Sequence, residues 1–331
     1  AQRRPAPRRV LLSTGEALPY DELCLCLGSH PFSPRFEGLE TVENRFFFTT
    51  LTDALALEKA VTKESRVLIV GAGFIGLKCA EGLRDRAGSV TVCDLAEHAM
   101  SANLDADCAL ILEKHLELNG LRLMLGDTVT RFEGKTAHMK SGKAVGFDVL
   151  VIAIGTRPNV SLLAEAGGSV GKGILVGEGM ETSLPGVWAA GDCTESMDVS
   201  AGTPGLLAVL PNASLQGFCA GTNMAGGSEK FDKGIKMNSI GFFGLHIMSA
   251  GTYTEPVYTE LTDTGCKKLF AKDGVLTGFI LLGDTAKAGI YTSLIRDRTP
   301  LESIDFEAVK KEPSLVPFGR DYRAKKLGGA V

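Results

Sequence analysis

The sequence holds 331 residues, of which 44% are hydrophobic and 22% charged, as in an ordinary globular protein with two or three domains. The formal net charge of −4 argues against a nucleic-acid partner, since binding nucleic acid needs a basic patch. No apolar run approaches the roughly 20 residues that a membrane-spanning helix requires, so we expect a cytoplasmic protein with no membrane span.

The first part of the chain alternates short strand patterns with turns. Residues 10–18 predict a β-hairpin, and residues 20–29 predict one continuous strand that ends in Gly28 and Ser29. Residues 52–61 predict a helix with an apolar face. This helix leads into the strongest pattern of the sequence.

That pattern is a strand, a glycine-rich turn and a helix in direct succession. Residues 66–70 predict a buried parallel strand, Gly71-Ala-Gly73-Phe-Ile-Gly76 follows at once, and residues 74–86 predict a helix. Gly71 allows the tight turn, Gly73 lets backbone N–H groups approach a diphosphate, and Gly76 lets the helix pack closely on the strand. The positive end of the helix then faces the phosphates. We therefore predict a dinucleotide site, with a nucleotide-free Rossmann-like fold as the alternative, on five residues: Gly71, Gly73, Phe74, Ile75 and Gly76.

Asp94 predicts which dinucleotide binds. It ends a second strand, over residues 89–93, and follows Gly76 at about the spacing of 20 residues expected of a ribose-binding acid. A carboxylate there accepts hydrogen bonds from the ribose 2′-OH and repels a 2′-phosphate. Residues 95–97 supply no cation that would accommodate the phosphate. The sequence therefore favours NAD(H) over NADP(H).

The second half of the chain repeats the pattern of a strand that ends in glycine. Residues 105–118 predict a helix, residues 129–139 a small antiparallel meander, and residues 148–154 a buried strand followed by Gly155. Residues 187–190 predict a short strand that ends at Gly191-Asp192.

A long helix and, from about residue 244, a separate α+β module are predicted for the rest of the chain. Pro211 opens a predicted helix that runs to about residue 224. A hairpin over residues 267–282 and a helix over residues 285–296 follow, and the tail from residue 310 is polar and weakly patterned.

The cysteines form neither a C-x-x-C nor a C-x₄-C pair. Several lie at apolar positions of predicted elements, so we expect reduced, structural thiols, and we predict no metal site. The alternation in Cys24-Leu-Cys26 puts both sulfurs on one face of a strand. That spacing is compatible with redox chemistry, but a buried strand explains it more simply.

Together the glycine endings resemble those of the pyridine nucleotide-disulfide oxidoreductase superfamily. The resemblance is nearest to the branch of rubredoxin reductases, NADH oxidases, coenzyme A-disulfide reductases and nitrite reductase flavin domains. The motifs are Tyr20-Asp21 through Gly28-Ser29, the Gly71–Gly76 fingerprint, Ala153-Ile-Gly155-Thr-Arg-Pro158-Asn159, Thr182 through Asp192, Pro211 through Gln216-Gly, and Gly283-Asp284-Thr285. The resemblance implies FAD beside NAD. It adds Gly155 to the NAD residues and assigns FAD contacts to seven residues: Gly28, Ser29, Gly191, Asp192, Pro211, Asn212 and Ala213.

The chain departs from the family pattern in two respects. The family's other glycine fingerprint, which holds the FAD diphosphate, lies upstream of the first hairpin and does not occur in this sequence. Either the chain is a fragment that lacks its N-terminal FAD βαβ unit, or its FAD site is incomplete. Many members also carry a glutamate where this chain has Lys78, so its role is open between catalysis and a solvated helix position. Phe74 matches the aromatic residue that gates the nicotinamide pocket, and no catalytic residue is assigned beyond these two.

We therefore predict an α/β protein of two Rossmann-like domains, the first incomplete, and a C-terminal α+β domain. The FAD domain covers residues 1–50 and 181–243, the NAD domain residues 51–180, and the C-terminal domain residues 244–331. The predicted function is an FAD-dependent NADH oxidoreductase that passes electrons to an unidentified small molecule or redox protein. The alternative is a NAD-binding module or electron-transfer subunit that completes its flavin site with a partner chain. The C-terminal domain resembles a dimer interface, which is compatible with a homodimer, although some relatives are monomeric.

Overall fold

The computed structural model describes residues 8–327, which divide into two compact units. The first unit holds residues 8–29 and 158–236, and the second holds residues 30–157 and 237–327. The chain passes from one unit to the other within the strands Ser29–Pro31 and Thr156–Pro158, and again just before Met237.

A five-stranded parallel sheet forms the centre of the second unit. Val67 and Ile69 of its middle strand belong to one apolar cluster, whereas Leu68 and Val70 belong to another. Burial of both faces explains why this strand is a continuous apolar run rather than an alternating one. The strands lie in the order Arg45–Phe46, Val149–Ile152, Arg66–Val70, Ser89–Asp94 and Arg122–Leu125. The helices of this part are Leu51–Ala60, Phe74–Leu83 and Ala106–Leu118.

Two antiparallel sheets complete the second unit. The smaller consists of Val129–Glu133, Thr136–Met139 and Ala144–Gly146. The larger runs in the order Met237–Phe242, Leu245–Gly251, Val275–Leu282, Cys266–Lys272 and Pro256–Leu261. Its Phe242, Ile247 and Ile280 belong to the same apolar cluster as Val92 and Leu112. The larger antiparallel sheet and the five-stranded parallel sheet therefore share one core. The remaining elements are the helices Ala288–Arg296, Phe306–Lys311 and Arg320–Leu327 and the 3₁₀ turns Leu39–Thr41 and Leu301–Ser303.

The first unit is built from short strands and one long helix. The strand Leu23–Leu25 pairs in parallel with Val187–Ala189, and Leu25 and Ala189 are buried in a common cluster. The helix Leu210–Met224 begins with a proline in its first turn, where the missing N–H costs nothing. The other elements are the hairpin Arg9–Leu11 with Ala17–Pro19, the sheet of Ile174–Leu175, Thr194–Asp198 and Thr203–Leu206, and the helix Ser161–Glu165.

Two predictions differ from the structure. The continuous strand over residues 20–29 is instead the strand Leu23–Leu25 and a separate strand from Ser29, because Gly28 adopts a left-handed φ of 62° that interrupts the extended chain. The polar tail from residue 310 contains the end of the helix Phe306–Lys311 and the whole helix Arg320–Leu327, and its last four residues, 328–331, lie outside the described residues. The two compact units divide at residues 29 and 157, and the strand Arg45–Phe46 joins the edge of the parallel sheet of the second unit. The division into three domains stays a prediction.

Candidate functional site

The three glycines of the fingerprint have three different environments. Gly71 has a φ of 116°, and a Cβ placed on it would lie 2.3 Å from the carbonyl oxygen of Ala153. A Cβ on Gly76 would lie 1.9 Å from the carbonyl oxygen of Gly71, so this position brings helix and strand together. A Cβ on Gly73 would meet nothing within 4 Å. The turn is therefore tight at Gly71, closely packed at Gly76 and open at Gly73, where a diphosphate has to approach.

The helix that begins after Gly73 has a bare start. Gly73 is the N-cap of the helix Phe74–Leu83, and no described side chain caps it. Backbone N–H groups at an uncapped helix start bind anions and carry the positive end of the helix dipole. Ile75 is half-buried, as is Phe74, and both pack on the apolar cluster of the second unit. The role of Phe74 as a nicotinamide gate stays a prediction.

Asp94 lies beside the glycine turn, at the end of the strand Ser89–Asp94. Its Oδ2 accepts a hydrogen bond from the amide of Ala72 at 2.7 Å, and its Oδ1 accepts one from the amide of Ala96 at 2.8 Å. The Ala72 amide is thus used by the protein itself. Each carboxylate oxygen keeps a lone pair, so the group can still accept a ribose hydroxyl.

Gly155 closes the neighbouring strand at the same edge of the parallel sheet. The strand Val149–Ile152 pairs with Arg66–Val70 in register, so its end lies next to Gly71. Gly155 has a φ of 98°, and a Cβ there would meet nothing within 4 Å. The structure therefore brings all predicted NAD residues to one edge, and the open space and the donor set fit a dinucleotide.

Lys78 connects the fingerprint helix to the C-terminal sheet. Its Nζ donates a hydrogen bond to the carbonyl oxygen of Gly241 at 2.8 Å and forms an ion pair with Glu81. Glu81 in turn accepts a hydrogen bond from the amide of Phe243 at 2.6 Å. These contacts give Lys78 a structural role, and a catalytic role for it stays an untested prediction.

In the first unit, the Gly191-Asp192 loop lies against the helix Leu210–Met224. Gly191 has a φ of 84°, and its amide donates to Oε1 of the buried Gln216 at 2.7 Å. The Thr194 hydroxyl donates to the carbonyl oxygen of Gly191 at 2.8 Å. A Cβ on Gly191 would come within 3.8 Å of the Cβ of Ala213, in the first turn of the helix. The loop and the helix start therefore form one structure.

The start of this helix has an exposed proline followed by a buried asparagine side chain. Pro211 is exposed, and no described side chain caps the helix at Val209. Asn212 is fully buried, and its Nδ2 donates to the carbonyl oxygens of Ile235 at 2.7 Å and Leu207 at 3.2 Å. The side chain of Asn212 therefore holds the helix start in place. Of the backbone at this start, Pro211 has no N–H to donate, and the amide of Ala213 already donates to the carbonyl oxygen of Val209 at 3.0 Å.

Gly28 and Ser29 are positioned by a residue that the predicted site omits. Asn159 donates from its amide to the carbonyl oxygen of Gly28 at 3.0 Å and from its side chain to that of Leu27 at 2.7 Å. A Cβ on Gly28 would meet nothing within 4 Å. Gln216 was missed in the same way. The signal was present, because Asn212 and Gln216 are polar residues four apart on the inner face of a helix.

The cysteine prediction is wrong for one pair. Cys108 and Cys266 form a disulfide with a Cα–Cα distance of 5.8 Å, within the range that disulfides span. The other cysteines in the described chain are free, and burial raises the pKa of the Cys79 and Cys93 thiols to about 12. Thiols of that kind are inert and structural. The described residues contain no group of three or more His, Cys, Asp or Glu side chains that could hold a metal ion, and no described helix is both long and apolar enough to cross a membrane.

Comparison with known proteins gives two family matches. The pyridine nucleotide-disulphide oxidoreductase profile matches residues 4–217, more than half of the chain. The rubredoxin NAD⁺ reductase C-terminal domain profile matches residues 237–299.

Individual relatives agree with these matches. The chain is 32% identical over 303 residues to the NADH-dependent phenylglyoxylate dehydrogenase subunit epsilon of Aromatoleum evansii, covering 88% of this chain and 72% of the relative. It is 33% identical over 290 residues to an NADH oxidase of Methanocaldococcus jannaschii, covering 80% and 64%. A crystal structure of an FAD-dependent pyridine nucleotide-disulphide oxidoreductase from Desulfovibrio vulgaris superposes with a TM-score of 0.79 at 27% identity, covering 91% of this chain and 82% of that one.

These findings confirm the predicted resemblance and the predicted fold class. At the level of the family they also confirm FAD and NAD(H) as the cofactors and an NAD(P)H-dependent flavoprotein oxidoreductase as the kind of enzyme. The chain belongs to the pyridine nucleotide-disulphide oxidoreductase family.

Proposed function

We propose that this chain is an FAD-dependent NADH oxidoreductase that delivers electrons to an acceptor outside the chain. The observation that carries the proposal is the open Gly73 turn at a bare helix start, with the Asp94 carboxylate held beside it. When bound, NADH supplies a hydride that FAD accepts and passes on as electrons. The protein itself provides binding, orientation and charge stabilisation.

Each cofactor has its own set of residues. The amides at the start of the helix Phe74–Leu83 bind the NADH diphosphate, and Asp94 accepts the ribose hydroxyl. On the flavin side, Asp192 binds the ribityl chain. The start of the helix Leu210–Met224 would place the positive end of the helix dipole where it could stabilise negative charge on a bound flavin.

A pair of glycine variants tests the proposal. Gly73→Ala adds a methyl group into open space at an ordinary φ of −86°, so we expect unchanged thermal unfolding but at least a tenfold loss of NADH affinity, measured by calorimetry. Gly76→Ala drives a methyl group into the Gly71 carbonyl, so we expect a clear drop in melting temperature. Full NADH affinity in Gly73→Ala would disprove the assigned site.

The flavin half is tested spectroscopically. The purified full chain, supplied with FAD, should show flavin absorbance that NADH bleaches under anaerobic conditions. A colourless protein that takes up no FAD but binds NADH would favour the second candidate, an electron-transfer subunit that completes its flavin site with a partner chain. A homodimer and a cytoplasmic location stay predictions, the first of them open to light scattering.

A further inference from the structure

A cavity of about 270 Å³ lies at the amino ends of the central parallel strands, within the second unit. Arg66, Ser89 and Arg122 line it, and each is the first residue of its strand. The predicted NAD residues lie at the carboxyl ends of these strands, beyond Val70, and four steps along a strand cover about 13 Å. The cavity is therefore separate from the predicted dinucleotide site.

The register of the sheet puts four polar side chains on one face. Arg66 is paired with Ser89, and Thr91 is paired with Arg122. Paired residues of neighbouring strands project to the same side of a sheet, and so do residues two apart along one strand. All four side chains therefore share a face, and all four line the cavity together with the strand Ala144–Gly146.

Asp148 holds the guanidinium of Arg66 in a fixed orientation. Nε and Nη2 of Arg66 donate to the two carboxylate oxygens of Asp148 at 3.0 and 3.2 Å. The third nitrogen, Nη1, lies on the side of Gly146, because a Cβ on that glycine would be 2.8 Å from it. Since Gly146 lines the cavity, Arg66 presents a pre-oriented donor there.

The electrostatic environment of the cavity is positive. Two arginines line it, whereas the described residues around it include no Asp or Glu. Asp148 pairs with Arg66, but Nζ of Lys135 lies 3.5 Å from Oδ1 of the same carboxylate. Positive charge therefore remains in excess, which favours an anion.

Thr91 adds a buried hydroxyl to this set of donors. The residue is only 8% exposed, and in the part of the chain that the structure describes its hydroxyl has no hydrogen-bond partner. A buried hydroxyl without a partner is costly, and an acceptor in the cavity would remove that cost. Guanidinium and hydroxyl groups are the donors that typically bind the oxygens of a phosphate.

We propose that Arg66, Ser89, Thr91 and Arg122 form a binding site for a phosphate group, either free or carried by a small organic phosphate. The phosphate oxygens accept hydrogen bonds from Nη1 of Arg66, from the guanidinium of Arg122 and from the two hydroxyls. Because these residues come from three strands, a bound phosphate connects the amino ends of the sheet. The site does not depend on the proposed function.

Titration calorimetry of the full chain with inorganic phosphate tests the site, with sodium chloride holding the ionic strength constant. We expect one phosphate to bind per chain. Arg122→Gln removes an exposed charged donor, so it should weaken phosphate binding at least tenfold. Arg35→Gln, at an exposed arginine outside the cavity, is the matched control and should bind phosphate as the wild type does.

Thr91→Val tests the buried hydroxyl without changing the shape of the side chain. We expect weaker phosphate binding and no drop in melting temperature, because valine suits a buried strand and leaves no polar atom without a partner. A phosphate affinity equal to that of the wild type in either Arg122→Gln or Thr91→Val would overturn the proposal.

Inorganic phosphate is also small enough to enter the open turn at Gly73, and two measurements separate the two places. Gly73→Ala should keep full phosphate affinity, and saturating NADH should not displace the phosphate. Displacement by NADH, a loss of affinity in Gly73→Ala, or no binding by the wild type beyond that of chloride would each overturn the proposal.

Glycerol phosphate, used in place of inorganic phosphate, identifies the source of the phosphate group. Tighter binding of the ester assigns the site to an organic phosphate, and equal or weaker binding assigns it to inorganic phosphate. In both cases Arg122→Gln must weaken the binding, and an ester that binds this variant as well as the wild type would count against the site.

Discussion

At the scale of single residues, Asp94 has a structural role, and the same carboxylate is the one that we propose recognises the ribose. Its two oxygens bind the amides of Ala72 and Ala96, which fixes the carboxylate against the glycine turn before any ligand arrives. A fixed acceptor loses little entropy on binding a hydroxyl, and its charge repels a 2′-phosphate at the same position. We therefore propose that this one side chain selects between the two nicotinamide dinucleotides.

We expect Asp94→Ala to weaken NADH binding by about tenfold, since hydrogen bonds to charged groups contribute roughly 1.5–3 kcal/mol. NADPH binding should weaken less or improve, because the repulsion is gone. Titration calorimetry with both dinucleotides measures the ratio. Asp94→Asn keeps one acceptor oxygen without the charge, so its ratio of NADH to NADPH affinity should lie between those of the wild type and Asp94→Ala. An unchanged ratio in Asp94→Ala would disprove the assignment.

The residues of the site differ in how well the sequence predicts them. The spacing in the sequence predicts the three fingerprint glycines, Gly71, Gly73 and Gly76. Each is required by the local geometry of a single strand–turn–helix segment. Lys78 could not be interpreted in this way. Its partner, the Gly241 carbonyl, lies 163 positions away in the sequence, and no local pattern encodes that contact.

At the scale of elements, an ion pair fixes the register of the central strands. Asp148 precedes the strand Val149–Ile152, and its Oδ2 accepts bonds from the amide and from Nε of Arg66, each at 3.0 Å. Arg66 opens the neighbouring strand of the parallel sheet. Hydrogen bonds and charge from Arg66 hold the pKa of the Asp148 carboxyl well below its usual range.

The lowered pKa of Asp148 has a defined effect on stability. A carboxyl with a depressed folded-state pKa stabilises the protein above its unfolded value near 4, and the contribution is lost as the pH falls toward the folded value. We expect Asp148→Asn to lower the free energy of unfolding at pH 7 by about 0.5–1 kcal/mol, because solvent screens this partly exposed pair. The difference in free energy of unfolding between Asp148→Asn and the wild type, measured by urea denaturation, should shrink when the pH falls below about 4. Asp263→Asn, at an exposed carboxylate, is the control, and a constant difference across pH would contradict the ion-pair explanation.

The strand predictions failed where backbone conformation outweighed composition. Residues 20–29 are apolar enough for one strand, but Gly28 turns the chain with a left-handed φ, and the amide of Asn159 holds its carbonyl. Glycine at the end of an apolar run predicts a turn without fixing where the strand stops. The parallel strands around the fingerprint were predictable, because burial on both faces leaves a continuous apolar run.

At the scale of the whole molecule, the disulfide Cys108–Cys266 joins parts that are distant in sequence. It links the helix Ala106–Leu118 to the strand Cys266–Lys272 across a separation of 158 residues. Beside it, Lys268 of the same strand forms ion pairs with Asp105 and Asp107 at 2.5 and 2.6 Å. Spacing between cysteines carries no information at that range, so the sequence could not predict the bond.

Closing so long a loop in the unfolded chain contributes up to about 5 kcal/mol in the chain-entropy description. We therefore expect a strong reductant to lower the melting temperature of the wild type. The double variant Cys108→Ala/Cys266→Ala should melt near the reduced wild type and should not respond to reductant. Calorimetry with and without reductant measures both, and Cys79→Ala controls for the loss of a buried sulfur. A reduced wild type that melts at the same temperature as the oxidised wild type would contradict this stabilisation.

The hydrogen bonds from Lys78 to Gly241 and from Phe243 to Glu81 constrain how the chain can be engineered. The helix Phe74–Leu83 is hydrogen-bonded, about one and two turns after its start, to a hairpin more than 150 positions downstream. A chimera or truncation that separates residues 74–83 from residues 237–251 would cut these bonds and uncover Phe242 and Ile247. A chimera built from relatives should therefore take residues 74–83 and residues 237–251 from the same parent, even though the two segments are far apart in sequence.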